Sequence, residues 1–412
     1  MNRVPERDQR HSWRSLLIVI VCVVIALFEG FDLQSIGIAA PSMAKSLGFS
    51  SLQMGYAFGV GALGLLLGAV FGGRLADRIG KKEALLLSMV TFGVFSIATA
   101  HAGNFESLLV VRALTGLGLG GAFPNLIALV AQESQPRYRS VAVSIMASGM
   151  PFGGVLAAVV SLVYSGPDLW RLVFYIGGVG PILLAPVILW VLRGSEPDIS
   201  RAPAPQAGAR QAGPAPGYFQ ALFGEGRATV TLLLWGAYFL TSCIFYILLN
   251  WLPSLIMAQG LNAWQAAWIQ ILFNFGGGVG ALLVGATLAR RRSGWLVMLV
   301  YAGIVVALLL LTEAGNFSLL VAGGFVAGLF SMAANTFLHG SGPLCYPDEV
   351  CGTGVGAAIG ISRLGATLGP VFIGQLLALG VQSSQTMLVC IPLAIVAALV
   401  GVALVRRTAL AG

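Results

Sequence analysis

Charge is what this sequence has least of. Only 9% of its 412 residues are Asp, Glu, Lys or Arg, against about a quarter in a soluble globular protein. That deficit excludes an ordinary water-soluble domain. Histidine and cysteine are scarce too, at 3 and 5 residues. Cys22, Cys243, Cys345, Cys351 and Cys390 are scattered, and His101 and His339 stand without companions at metal-ligand spacing. A metal cluster and a disulfide scaffold are therefore not expected, and the cysteines read as structural. The run Gly116-Leu117-Gly118-Leu119-Gly120-Gly121 mimics a nucleotide-binding pattern. It lies inside an apolar stretch with no strand before it, so it reads as helix packing. No hydrolytic triad or phosphate loop is present, so neither an enzyme nor a cofactor is expected.

Apolar sequence is what the chain has in abundance: 57% of residues are hydrophobic and 55 are glycine. Apolar stretches can be drawn at 15–40, 53–76, 83–101, 105–132, 139–164, 170–193, 228–251, 264–289, 294–313, 316–338, 352–380 and 384–406. Each is of roughly the length that crosses a bilayer as a helix. The expected fold is an all-α polytopic membrane protein with twelve transmembrane helices. The first stretch could pass for a secretory signal, but the acids at its centre and the spans after it favour an uncleaved helix.

The net charge of +8 serves topology. With the N-terminus in the cytoplasm, all but four of the 23 Lys and Arg residues fall on the inner side. The four are Lys45 and Arg171 outside, and Arg112 and Arg363 within spans. Such an asymmetry puts both termini inside and calls for contact with a lipid bilayer, not nucleic acid.

Displaced by 212 residues, the chain matches itself without gaps: Pro41 on Pro253, Gly48 on Gly260, Gln53 on Gln265, Gly64 on Gly276 and Gly68 on Gly280. The run Ala102-Gly103-Asn104-Phe105 falls on Ala314-Gly315-Asn316-Phe317, and Gly116 on Gly328. An even number of helices per copy makes the two six-helix repeats parallel. Residues 1–193 and 228–412 are the expected bundles. Between them, 194–227 is rich in Pro, Ala, Gly and Arg and reads as a cytoplasmic linker.

Four charges lie well inside spans. Glu29 and Asp32 are three residues apart and share one face of the first helix. Arg112 is in the fourth span and Arg363 in the eleventh. Left unpaired they would cost on the order of 10 kcal/mol together, so they should pair or line water. Two carboxyls close together in low dielectric disfavour joint ionisation, which makes them candidates to load and release protons. Guanidinium groups grip carboxylates with paired hydrogen bonds, pointing to an anionic substrate. Two acids against two arginines leave an empty site neutral. One added carboxylate and one proton keep it so, which predicts one-to-one symport. Arg112 reads either as part of a proton relay or as a brace in the first bundle. Arg363 has no counterpart in the repeat, where Pro151 stands opposite, and is taken as the substrate anchor.

The segment Gly73-Arg74-Leu75-Ala76-Asp77-Arg78-Ile79-Gly80-Lys81-Lys82 resembles the loop between helices two and three of the major facilitator superfamily. Its second copy has Ala289 opposite Asp77, and Cys351 stands opposite Arg139. Within that superfamily, Glu29-Gly30-Phe31-Asp32 is similar to the acid-Gly-x-Asp pair of the aromatic acid:proton symporters. Glu29-Gly30-Phe31-Asp32-Leu33-Gln34, Pro124-Asn125-Leu126-Ile127-Ala128-Leu129, Asn250-Trp251-Leu252-Pro253 and Arg363-Leu364-Gly365-Ala366 look like the 3-(3-hydroxyphenyl)propionate transporters. The resemblance covers nearly the whole chain.

It implies a secondary transporter of the bacterial inner membrane, importing a small aromatic acid with protons by alternating access. A monomer is expected. An aromatic acid also needs stacking surface and polar groups to read it. Phe31, Tyr56, Tyr238, Phe245 and Tyr246 are candidates for the first, and Asn125, Asn250, Asn274 and Asn335 for the second. Gly73, Asp77, Arg78, Gly80, Glu133, Arg137 and Arg139 form the expected cytoplasmic gate. The alternative within the same fold is a proton-coupled antiporter exporting drugs or metabolites. Gly149-Met150-Pro151-Phe152-Gly153-Gly154 faintly resembles the antiporter signature but lacks its Gly-Pro dipeptide. A sensor that binds without transport ranks below both, because no soluble signalling domain is apparent.

Overall fold

A chain in hydrocarbon must satisfy every backbone polar group internally, and a helix does so within one segment. The apolar stretches accordingly fold as helices. The computed structural model describes residues 6–135, 138–163, 170–191, 217–288, 294–313 and 316–409. In chain order the helices are α1 Glu6–Leu47, α2 Ser51–Ile79, α3 Lys81–Ala100, α4 Phe105–Glu133, α5 Arg139–Val163 and α6 Trp170–Val191. They continue with α7 Tyr218–Phe223, α8 Ala228–Ala258, α9 Ala263–Leu288, α10 Gly294–Leu310, α11 Phe317–Ser341, α12 Asp348–Ala378 and α13 Ser383–Ala409. Among the described residues there is no strand.

Eleven of these helices are long and apolar enough to cross a membrane. The twelfth crossing, α10, is a shorter apolar helix that adjoins residues 289–293, outside the described set. The expected spans are found in register, with two differences. Helix α1 exceeds 15–40 at both ends and continues through Pro41 to Leu47, since neighbouring helices can re-satisfy backbone groups freed by a proline. The stretch expected as one linker, 194–227, is not uniformly loop. Its end forms α7, whose Ala221 and Leu222 are buried, while 194–216 lie outside the described residues.

The repeat is legible as repeated physical roles. Gly48 and Gly260 both take positive φ, +69° and +95°, after α1 and α8, a conformation that favours glycine. The backbone N–H of Ser50 donates to Gln53 Oε1 (2.9 Å), and that of Asn262 to Gln265 Oε1 (3.1 Å). Asn104 caps α4 and Asn316 caps α11. A Cβ on Gly64 would strike Ala113 O, and one on Gly276 would strike Phe325 O. Those carbonyls are themselves repeat mates, so α2 crosses α4 as α9 crosses α11.

The two halves meet where α2 packs on α12, α5 on α9 and α1 on α8. Tightness along the α2–α12 seam depends on depth. On the side opposite the chain termini, a Cβ on Gly55 would lie 2.9 Å from Pro370 O, and one on Gly59 2.9 Å from Thr367 O. Phe58 stacks edge-on against Trp251 at 5.1 Å, and Trp251 Nε1 donates to Pro370 O (2.9 Å). Toward the termini the same face of α12 carries Gly352, Gly356 and Gly360, and among the described residues nothing lies within 4 Å of a Cβ built there. The seam is closed at one end and parted at the other.

Candidate functional site

The charges on α1 are reached by α4 and α3. Asp32 is fully buried, and its Oδ2 lies 3.6 Å from Arg112 Nη1. Ser96 Oγ donates to Asp32 Oδ1 and also bonds Phe174 O (3.2 Å). Gly177 of α6 makes room for this contact: a Cβ there would sit 3.4 Å from both Asp32 Oδ1 and Ser96 Oγ. Glu29 is 2% exposed, and its Oε1 has no hydrogen-bond partner among the described residues. Sharing a helix face with Asp32 therefore did not give it the same partner. At 3.6 Å the ion pair is longer than a hydrogen bond, leaving Arg112 Nε and Nη1 without hydrogen-bond acceptors.

The second charged site is built on α8, α11 and α12. Arg363 Nη1 donates to Tyr246 Oη (2.8 Å), and its Nε has no partner. Among the described residues no carboxylate pairs with Arg363, which is half-buried. Tyr246 meets Phe245 edge-on at 5.5 Å, and Phe245 stacks on Phe273 of α9 at 6.3 Å. The ring of His339 on α11 bonds the backbone O of Asn335 (2.8 Å) and stands edge-on to Tyr238 of α8. Tyr238 is buried with its hydroxyl unpartnered among the described residues. Arg363, Tyr246 and Phe245 thus share one region of the second half, and Tyr238 pairs with His339 between α8 and α11, while Asn335 turns its amide back on Ser331 O (3.0 Å).

A third cluster ties the halves together. Gln34 Nε2 donates to Asn274 Oδ1 (2.5 Å), and Asn274 Nδ2 returns a bond to Gln34 Oε1 (2.7 Å). Gln270 Nε2 also donates to Gln34 Oε1 (3.0 Å). Gly154 of α5 lets the amides pass, since a Cβ there would lie 2.7 Å from Asn274 Oδ1. All three side chains are buried.

Other expected site residues are placed elsewhere. Asn125 and Asn250 turn their amides back on their own helices, to Gly121 O (2.8 Å) and Tyr246 O (3.0 Å). Phe31 packs in a core cluster with Ala157 and Val173. Tyr56 is 44% exposed and joins no other candidate. Gly80, at φ +99°, makes the turn from α2 to α3. Asp77, Arg78 and Arg139 are exposed and Glu133 half-buried, and no ion pair joins them among the described residues. They lie at the parted end of the molecule. A Cβ built on Gly73 would meet nothing within 4 Å among the described residues, and Arg137 lies outside them.

Two halves repeating one helix pattern, with charged groups inside the spans, are the architecture of a transporter. The sequence model of the Major Facilitator Superfamily matches residues 22–358. This chain belongs to the Major Facilitator Superfamily. It is a membrane transporter and not an enzyme. Its relatives in the superfamily include the 3-(3-hydroxy-phenyl)propionate transporter of Escherichia coli (strain K12), 42% identical over 397 residues, covering 96% of this chain and 95% of the relative. The gallate transporter of Pseudomonas putida is 35% identical, covering 88% of this chain and 86% of that one. Among solved structures, a bacterial homolog to the human lysosomal transporter Spinster, inward-facing and unoccupied, superposes with TM-score 0.76 at 18% identity over 98% of each chain. The D-xylose–proton symporter gives TM-score 0.69 at 16% identity, over 93% of this chain and 96% of that one. These likenesses carry the superfamily fold.

Sequence reasoning assigned no site role to Ser96, Gln34 or Gln270, and it set His339 aside for want of metal partners. The signal was available for the first three: a polar side chain inside a span needs a partner. Counting only charges and asparagines missed them.

Proposed function

We propose that the chain imports an aromatic carboxylate of the 3-(3-hydroxyphenyl)propionate kind together with protons, by alternating access. One observation carries the reading: Arg363 is half-buried, held by a neutral phenol, and has no carboxylate partner among the described residues. A guanidinium so placed attracts an anion. The aromatic pairs Tyr246–Phe245 and Phe245–Phe273 beside it supply a surface on which a ring can stack. The relatives named for 3-(3-hydroxy-phenyl)propionate and gallate support an aromatic acid.

With Asp32 and Arg112 neutralising each other, Glu29 is the unpaired acid to balance Arg363. Glu29 takes up a proton as the substrate carboxylate meets Arg363, with one proton per substrate. Asn274 and Asn335 border the path, and Asp77, Arg78, Glu133, Arg137 and Arg139 gather at the gate when the parted end closes. Residues 1–193 and 228–412 rock as units about the seam, joined by the linker between them. The protein works as a monomer in the bacterial inner membrane, with both termini cytoplasmic, so the parted end opens inward.

Uptake of labelled 3-(3-hydroxyphenyl)propionate into proteoliposomes under an inward proton gradient tests this. Accumulation that a protonophore abolishes is the expected result, with Glu29→Gln passing substrate only downhill. Uptake indifferent to the gradient would remove symport. No response to any aromatic acid would remove the substrate class.

A further inference from the structure

Helices α2 and α3 each pack on α4, and between them runs a groove of about 400 Å³ of which the transport reading uses only Arg78, at the gate. Gly68 and Gly72 of α2 and Gly118 and Gly121 of α4 lie along its floor, where a Cβ on Gly68 would strike Leu117 O and one on Gly118 would strike Phe92 N, so the floor is closely packed backbone. Phe71 and Leu87, 55% and 51% exposed, stand at its sides and show that it faces outward, toward lipid. Arg74 and Arg78 line its end nearest the chain termini. They are four residues apart, so they rise from one face of α2, and both are exposed. No acidic residue lines the groove.

Its length is informative. From Gly68 to Arg78 is ten residues, or about 15 Å of helix rise. The hydrocarbon core of a bilayer is about 30 Å thick, so the groove spans one leaflet. Its deep end lies near the bilayer centre, and its arginines lie where headgroups begin. Lys81 and Lys82 follow at once at the start of α3, keeping that rim basic.

We propose that this groove binds one anionic phospholipid of the leaflet on the side of the termini. Arg74 and Arg78 hold the phosphate, and an acyl chain lies along the glycine floor. Guanidinium groups pair with phosphate oxygens through parallel hydrogen bonds, and basic pockets between membrane helices on one side select charged headgroups. A helix from a second copy would also suit a glycine floor, but it would need a groove crossing both leaflets. The proposal is independent of the substrate.

The test is native mass spectrometry of the full chain, delipidated and offered equal amounts of phosphatidylglycerol and phosphatidylcholine. The wild-type protein is expected to retain the anionic lipid about tenfold over the zwitterionic one. Arg74→Gln with Arg78→Gln should bring that ratio near one, and Arg74→Lys with Arg78→Lys should keep most of it. Thr91→Trp, which fills the groove, should lower retention of both lipids. The single glutamine variants, each losing part of the preference, keep the test decisive if the double variant does not fold. Equal retention by the wild-type protein, or an undiminished preference in the glutamine variants, would overturn the proposal. Dimers dispersed by Thr91→Trp would also overturn it, in favour of a partner helix.

Discussion

Arg112 and Arg363 are the same residue in the same kind of helix, yet their surroundings set them to different work. Arg112 is 3% exposed and faces a buried aspartate. Arg363 is half-buried and, among the described residues, its side chain is held by a phenol hydroxyl. Removing one member of a buried ion pair leaves a charge that the interior cannot solvate. Removing a half-buried arginine leaves nothing stranded. On the proposed reading the first arginine is tied into its half by that ion pair, while the second offers its charge to the substrate.

The largest effect expected is that of Asp32→Asn, which strands Arg112. A loss of about 3–5 kcal/mol of stability is expected, read as a lowered midpoint of thermal unfolding in detergent. Adding Arg112→Gln should restore much of that stability. A full return of proton-driven uptake in the double variant would erase the functional side of the pair.

Arg363→Gln should behave the opposite way. Charge-assisted hydrogen bonds contribute about 1.5–3 kcal/mol, so calorimetry should show binding of an aromatic carboxylate weakened roughly 10- to 100-fold. The unfolding midpoint should barely move. A collapse of stability instead would put Arg363 in the same class as Arg112.

The amide bridge sharpens the contrast between the halves. Gln34→Leu takes away the partner of Asn274 Oδ1 and of Gln270 Nε2, while Asn274 Nδ2 keeps Gln270 O (3.0 Å), at a cost of about 1–3 kcal/mol. A double-mutant cycle with Asn274→Leu should show coupling, since the two residues touch. Additive losses would mean that the bridge does not join the halves. The smallest effect belongs to Tyr246→Phe, which removes the hydroxyl holding Arg363. A loss of about 0.5–1.5 kcal/mol, seen as binding weakened up to about tenfold, is expected in the same calorimetry.

Much of the fold was legible because membrane helices announce themselves by length and apolarity. The repeat was legible for a related reason: its matching positions are caps and close crossings, where few residue types serve. Gln53 and Gln265 illustrate the first, Gly64 and Gly276 the second. The site was legible only as a set of expensive groups. Glu29, Asp32, Arg112 and Arg363 stand out in any reading that asks what is costly in lipid. Tyr56 and Phe31 did not follow from that logic, because an aromatic ring is at home in lipid and in a packed seam alike.

By itself, the sequence determined the number of spans, their doubling, the side on which positive charge collects and the presence of four ionisable groups in the bilayer. These are properties of composition and order along one strand of chain. Tertiary structure alone decided the pairings. Asp32 meets Arg112 and Ser96, Arg363 meets Tyr246, and Gln34 meets Asn274 across 240 residues. Spacing along a helix says which side chains share a face, but helix crossing decides what stands opposite. The side on which the seam parts is likewise a property of how two bundles lean together, and no single helix carries it.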